Sequence, residues 1–327
     1  MSHVGFLRPR PHLPGLPARR AWLQQGTLLF GFLALTSLLL MLSGCGNAST
    51  AAVSGGVIKV VAGENFWGSI AAQLGGSHTD VISIVFDPNA DPHQYQSSTA
   101  DARAFAQANY VILNGVGYDT WAQNLIAANP VAGRKVFTVG DYLGKKEGDN
   151  PHLWYNPTYV EETANHITAD LKALDPTDTA YFSQQRTNFE NALKPYHDRI
   201  AEIKQMFGGQ KVGATESIFV YMASALGLDL ISPPEFMEAV AEGNDPPAET
   251  VAEFQQQIAQ KQITVLVYNV QTVTTVTSNL KALAAAQDIP IVGVSETIQP
   301  PDTSFQDWQY GQLSAIQNAL NANALGN

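Results

Sequence analysis

The chain has 327 residues, enough for two lobes that each bury a core of their own. Lys and Arg number 18 against 29 Asp and Glu, and four arginines (Arg8, Arg10, Arg19, Arg20) fall in the first 44 positions, which hold no acid. The rest carries 14 basic against 29 acidic side chains, a formal charge of −15 that repels phosphate backbones, argues against a nucleic-acid role and draws cations.

An uncharged apolar run from Thr27 to Leu42 follows the arginine-bearing segment and leads to Leu42-Ser43-Gly44-Cys45. Its 16 residues fall short of the roughly 20 that a spanning helix needs, so residues 1–44 read as a secretory signal. Arg19-Arg20 before Trp22 is a weak twin-arginine feature of the same leader. The LSGC tetrapeptide resembles the bacterial lipobox, which implies that Cys45 becomes the lipidated first residue of the mature protein. It is the only cysteine, so an internal disulfide is excluded. Residues 45–56, Gly/Ser-rich after the cysteine, have the composition of a flexible tether, and the folded body is expected from about Val57.

From there, β-branched runs alternate with amphipathic stretches, the pattern of βα units around parallel sheets. Strands are predicted at Ile58–Ala62, Val81–Phe86, Tyr110–Leu113 and Lys135–Thr138, with helices at Phe66–Leu74, Thr99–Ala108, Thr120–Ala128 and Thr158–Leu174. These form a first lobe, residues 57–174. Between Asp175-Pro176-Thr177 and Gly208-Gly209, apolar residues at Phe182, Phe189, Leu193, Tyr196, Ile200, Ile203 and Phe207 mark one face of a long connecting helix over 175–209. Pro195 lies inside it and should kink it. A second lobe, 210–327, has predicted strands at Lys211–Ala214, Asp229–Ile231, Thr264–Tyr268 and Ile291–Gly293. Its helices are expected at Ile218–Leu226, Pro247–Gln260, Val273–Ala286 and Phe305–Leu320. The expected architecture is α/β: two lobes, each a mostly parallel sheet flanked by helices, with a cleft between them.

Two of the seven histidines occur in similar settings, Asp91-Pro92-His93-Gln94-Tyr95 and Asn150-Pro151-His152-Leu153-Trp154. Proline fixes the backbone approach, and an aromatic residue two positions on is placed to wall each imidazole from water. A single loop histidine is more often a hydrogen-bonding or surface group; the repetition favours a site for this pair. His3 and His12 belong to the leader, and His78, His166 and His197 read as structural or solvated. Glu216 follows a predicted strand and opens a helix, and Glu296 follows the last strand, with Asp302 as a competitor for its role. Both acids map to carboxyl ends of strands, where open α/β sheets bind ligands. Placement near a helix N-terminus is the bland alternative for Glu216. Two neutral imidazoles and two carboxylates together neutralise a divalent cation, which makes its burial tolerable.

The segments ENFWGSIAAQLGG (64–76), DPHQY (91–95), NGVGYDTW (114–121), NPHLWYNP (150–157), ATESIFVYMASALGL (214–228) and VGVSET (292–297) resemble the zinc/manganese class of ABC-importer substrate-binding lipoproteins. The resemblance extends over essentially the whole mature chain. It implies two lobes joined by a rigid backbone helix, one Zn²⁺ or Mn²⁺ ion held in the cleft by His93, His152, Glu216 and Glu296, and no enzymatic activity. It also implies an extracytoplasmic, membrane-anchored monomer that delivers its ion to a permease and its ATPase. The sequence departs from zinc members in two ways: Glu216 stands where histidine is frequent, and a His-rich acidic loop between the first two ligands is missing. Glu296 stands where aspartate is common. A shell rich in carboxylate oxygen shifts preference toward Mn²⁺ or Fe²⁺, while the general affinity order favours zinc over manganese. A secreted metal-dependent hydrolase is one rival reading, although no HExxH helix or nucleophile elbow occurs. A surface adhesin or organic-solute binder on the same body is the other.

Overall fold

The computed structural model describes residues 56–89 and 91–326. The signal segment, Cys45 and nearly all of the tether lie outside the described residues. No helix among the described residues is long and apolar enough to cross a membrane.

Strands β1 (Ile58–Glu64), β2 (Thr79–Val85), β3 (Tyr110–Leu113) and β4 (Lys135–Thr138) form one parallel sheet in the order β2-β1-β3-β4. Val60 pairs with Val81 on one side and Tyr110 on the other. Strand β3 is buried along its whole length, as expected of a parallel strand covered on both faces. Helices α1 (Asn65–Gly75), α2 (Thr99–Gln107), α3 (Thr120–Ala128), the single-turn α4 (Val139–Tyr142) and α5 (Pro157–Leu174) complete this lobe. Starts are set by local chemistry. Ser98 and Asp101 form a reciprocal capping box on α2, and Asn156 accepts from the amides of Thr158 and Tyr159 ahead of α5, with Pro157 in its first turn.

Helix α6 (Thr179–Phe207) then runs for 29 residues, continuing through Pro195. Its buried residues are the seven named above: Phe182, Phe189, Leu193, Tyr196, Ile200, Ile203 and Phe207. The second sheet repeats the topology of the first: β5 (Lys211–Ala214), β6 (Asp229–Leu230), β7 (Leu266–Asn269) and β8 (Ile291–Val294) lie parallel in the order β6-β5-β7-β8. Helices α7 (Val220–Ala225), α8 (Pro234–Ala241), α9 (Ala248–Ala259), α10 (Thr275–Ala286) and α11 (Phe305–Gly326) belong to this lobe. One continuous core joins both sheets to the inner face of α6, from Ile58 and Trp154 through Tyr196 to Val265 and Trp308.

Three expectations shift. Strand β7 begins at Leu266 rather than Thr264, although the Thr264 amide and hydroxyl both donate to the Lys211 carbonyl of the neighbouring central strand β5. The helix expected over Ile218–Leu226 is a 3₁₀ turn, Ser217–Phe219, followed by the shorter α7. Helix α8 had no predicted counterpart. In both sheets the strand order reverses beside the first strand, β1 against β3 and β5 against β7, which creates crevices at the carboxyl ends of these strands.

Candidate metal centre

Those crevices gather the residues singled out above. His93 sits in a 3₁₀ turn, Pro92–Gln94, where the Asp91 carboxylate accepts from the His93 amide at 3.0 Å and from the Gln94 side chain at 2.9 Å. His152 is held by Asn150, whose Oδ1 accepts from the His152 amide at 3.0 Å and faces Nδ1 at 2.8 Å. With Nδ1–H donated to Asn150, the bare lone pair of His152 lies on Nε2, the atom that faces the acids. Glu216 follows β5, and Glu296 follows β8.

The four side chains meet. Each offers a donor atom within 4.8 Å of the others. His93 Nε2 lies 3.3 Å from Glu296 Oε2, and His152 Nε2 lies 3.2 Å from Glu216 Oε1 and 4.0 Å from Glu296 Oε2. His152, Glu216 and Glu296 are fully buried. His93 Nε2, His152 Nε2 and Glu216 Oε1 are buried without a hydrogen-bond partner, an arrangement that costs free energy unless something occupies the space between them. A tetrahedral ion with bonds of about 2.0–2.1 Å sets ligand atoms about 3.3–3.4 Å apart, close to the two shorter separations. Asp302 is exposed in the loop that follows and lines a separate outer groove with Asn65 and Ser83, so Glu296 is the acid that faces the other three.

Electrostatics couple the two lobes at this point. Burial opposes protonation of His93, but the Glu296 carboxylate outweighs it and raises the imidazole to about 9. Burial likewise opposes ionisation of Glu296, and the facing His93 reverses the balance, bringing the carboxyl down to about 2. Behind them Glu64, at the end of β1, is buried without partners; burial raises its pKa well above the usual range, aided by Asp119 and Glu296. Asp119 is raised to about 6 by burial, against the opposing pull of the Gly115 and Asn114 amides.

Three side chains that sequence reasoning did not select shape the site. Tyr118 donates its hydroxyl to Glu296 Oε2 at 2.5 Å and packs edge-on against His93, with ring centroids 4.8 Å apart. Asn269, at the end of β7, donates to both acids. Gln271 Oε1 accepts from the Glu296 amide at 2.8 Å and the Thr297 amide at 3.0 Å. The only signal for Asn269 was its position at a strand end, and Tyr118 stood in a segment noted for resemblance alone. The expected aromatic walls are half realised. Trp154 lies edge-on to His152, whereas Tyr95 turns away to pack on Trp121 and donate to Asp101, leaving Tyr118 to cover His93. His78, His166 and His197 pair instead with Asp178, Asp170 and Glu161.

A cleft of about 770 Å³ opens onto His93. Its lining combines the acids Glu147, Asp149, Glu238 and Glu242 with the apolar Leu228, Leu230 and Met237.

The manganese ABC transporter substrate-binding lipoprotein PsaA of Streptococcus anginosus is 27% identical over 225 residues, 62% of this chain and 69% of that protein. The manganese-binding lipoprotein MntA of Halalkalibacterium halodurans is 24% identical over 200 residues, covering 59% of this chain and 66% of its own length. Among solved structures, a manganese-bound periplasmic metal binding protein from Candidatus Liberibacter asiaticus superposes with a TM-score of 0.67 at 19% identity, over 80% of this chain and 99% of that one. A crystal structure of ZnuA gives 0.64 at 22% identity, over 82% and 99%. Residues 60–319 match the family described as zinc-uptake complex component A, periplasmic, and the chain belongs to that family.

Proposed function

We propose that the protein captures one divalent transition metal, Zn²⁺ or Mn²⁺, between His93, His152, Glu216 and Glu296 outside the cell membrane and delivers it to the permease of an ABC importer. The observation that carries this reading is the set of three buried atoms without a hydrogen-bond partner, His93 Nε2, His152 Nε2 and Glu216 Oε1, converging with Glu296 Oε2 from two lobes. Two imidazoles and two carboxylates balance the charge of a dication, so a bound ion leaves the buried centre near neutral. Delivery implies a permease with its ATPase as partners, and lipidation at Cys45 would hold the binding protein, as a monomer, at the outer membrane face where such a permease opens. The rival readings, a hydrolase and an adhesin or organic-solute binder, are not favoured by the family.

Isothermal titration of the purified protein with Zn²⁺ and Mn²⁺ tests the site. His93→Ala and Glu216→Ala should each weaken binding by at least about 100-fold, since even outer partners of metal ligands contribute about 10–100-fold. Unchanged affinity in both variants would remove the site. Mass spectrometry of the mature N-terminus tests the anchor: a diacylated or triacylated Cys45 is expected, and an unmodified one would refute it.

A further inference from the structure

Asn269 stands between the two acids in a way that bears on which ion is held. Its Nδ2 donates to Glu216 Oε2, to Glu296 Oε1 at 2.6 Å and to Thr272 Oγ1 at 3.0 Å, and the side chain is buried. Its Oδ1 accepts the Gln271 amide at 2.9 Å, and this backbone donor fixes which end of the amide faces the acids. The oxygens that Asn269 engages are not those that face the histidines. Glu216 presents Oε1 to His152 at 3.2 Å, and Glu296 presents Oε2 to His93 at 3.3 Å. Each carboxylate is therefore divided, one oxygen toward a shared amide and the other toward the histidines, that of Glu296 also accepting from the Tyr118 hydroxyl at 2.5 Å.

Resting on the metal-capture reading above, we infer that Asn269 sets the coordination number of the captured ion, confining both acids to one oxygen each so that the site supplies four ligand atoms and favours Zn²⁺ over Mn²⁺. A carboxylate that chelates with both oxygens must give up or share its bond to Asn269. Charge-assisted bonds of this kind are among the stronger ones, and breaking them in a buried site leaves the amide only the neutral Thr272 hydroxyl as an acceptor. Four ligand atoms, two nitrogen and two oxygen, match the tetrahedral habit of zinc. Mn²⁺ is served by larger, oxygen-rich shells, which the same acids would supply only if both chelated. Asn269 acts through the acids and is a positioning residue. Its effect should therefore appear in the shell and the metal ratio rather than in binding alone.

X-ray absorption on the wild-type protein, loaded separately with Zn²⁺ and Mn²⁺, reads the shell directly and requires no variant. About four nitrogen and oxygen neighbours around zinc are expected, whereas a six-neighbour shell with both acids chelating would overturn the inference. Competition titrations on Asn269→Leu, similar in size but without donors, supply the second arm. The Zn²⁺/Mn²⁺ affinity ratio should fall at least about 10-fold, with added neighbours around manganese. A folded Asn269→Leu protein with the wild-type ratio and shell would also overturn it. If wild type binds neither metal, or binds equally well after His93→Ala, the capture reading itself fails. That outcome is distinct from a working site whose acids chelate.

Discussion

At the scale of single residues, the imidazole of His93 carries the pH behaviour of the centre. Its metal-free pKa of about 9 lies above the ordinary histidine value because the Glu296 carboxylate outweighs the effect of burial, while the same pairing lowers Glu296 to about 2. A raised histidine contributes stability that is complete below its unfolded value of about 6.5 and disappears as pH rises through about 9. A lowered carboxyl contributes above its unfolded value of about 4.3 and loses that contribution as pH falls toward about 2. The pair thus stabilises the metal-free protein most fully between about pH 4.3 and 6.5. A metal must displace the His93 proton, so affinity should climb through pH 6.5–9, and titration below pH 9 in buffers of different ionisation heat should show close to one proton released per ion. Zero release at pH 7 would contradict the ion pair. An ordinary histidine would have placed this window near 6.5; the shift comes from a carboxylate more than 200 positions away in the chain, which local sequence does not reveal. The His152 setting yields a second expectation. Asn150→Ala removes the acceptor that fixes its tautomer and should weaken metal binding about 10–100-fold while leaving the fold's circular dichroism intact.

Among the elements, the long helix was the most readable, since its seven inward residues keep to the 3.6-residue period, with one turn skipped between Phe182 and Phe189. Phe189 is buried at 2% exposure in the middle of that face, and Phe189→Ala should cost about 3–5 kcal/mol in urea unfolding, whereas truncating the exposed Met206 should cost little. Equal effects would show that this face does not hold the lobes. Helix α8 escaped notice because Pro233-Pro234 reads as a loop, although Pro in the first turn is compatible with a helix and Phe236, Met237, Val240 and Ala241 bury one side of it. The start of β7 was placed two residues early, at Thr264. The four donors were identifiable because the Asx-Pro-His setting repeats and both acids follow strands. Asn269 and Tyr118 were not, because an amide and a phenol acquire their roles only from what the fold sets beside them.

For the whole molecule, the candidate centre draws its residues from both lobes, so an ion bound there would link metal binding to folding. Tyr155 donates across the interface to the Ser295 carbonyl at 2.7 Å, and the Ile298 amide bonds to Asn65 at 3.0 Å, within the same contact that aligns the donors. An ion at 1,000 times its dissociation constant adds about 4 kcal/mol to the folded state. Melting temperature should therefore rise on metal addition and fall again with a chelator in wild type, and rise by well under half as much in His93→Ala at the same metal concentration. A chelator-insensitive wild type would uncouple the centre from the lobe contact.

The donors are divided by chemistry as well as by position: both imidazoles belong to one lobe and both carboxylates to the other. If the halves part, the Coulomb attraction on an ion held there would not be shared evenly, and the ion would stay with the half that carries the acids. Departure would then have two stages, with Glu216 and Glu296 retaining the ion after His93 and His152 release it.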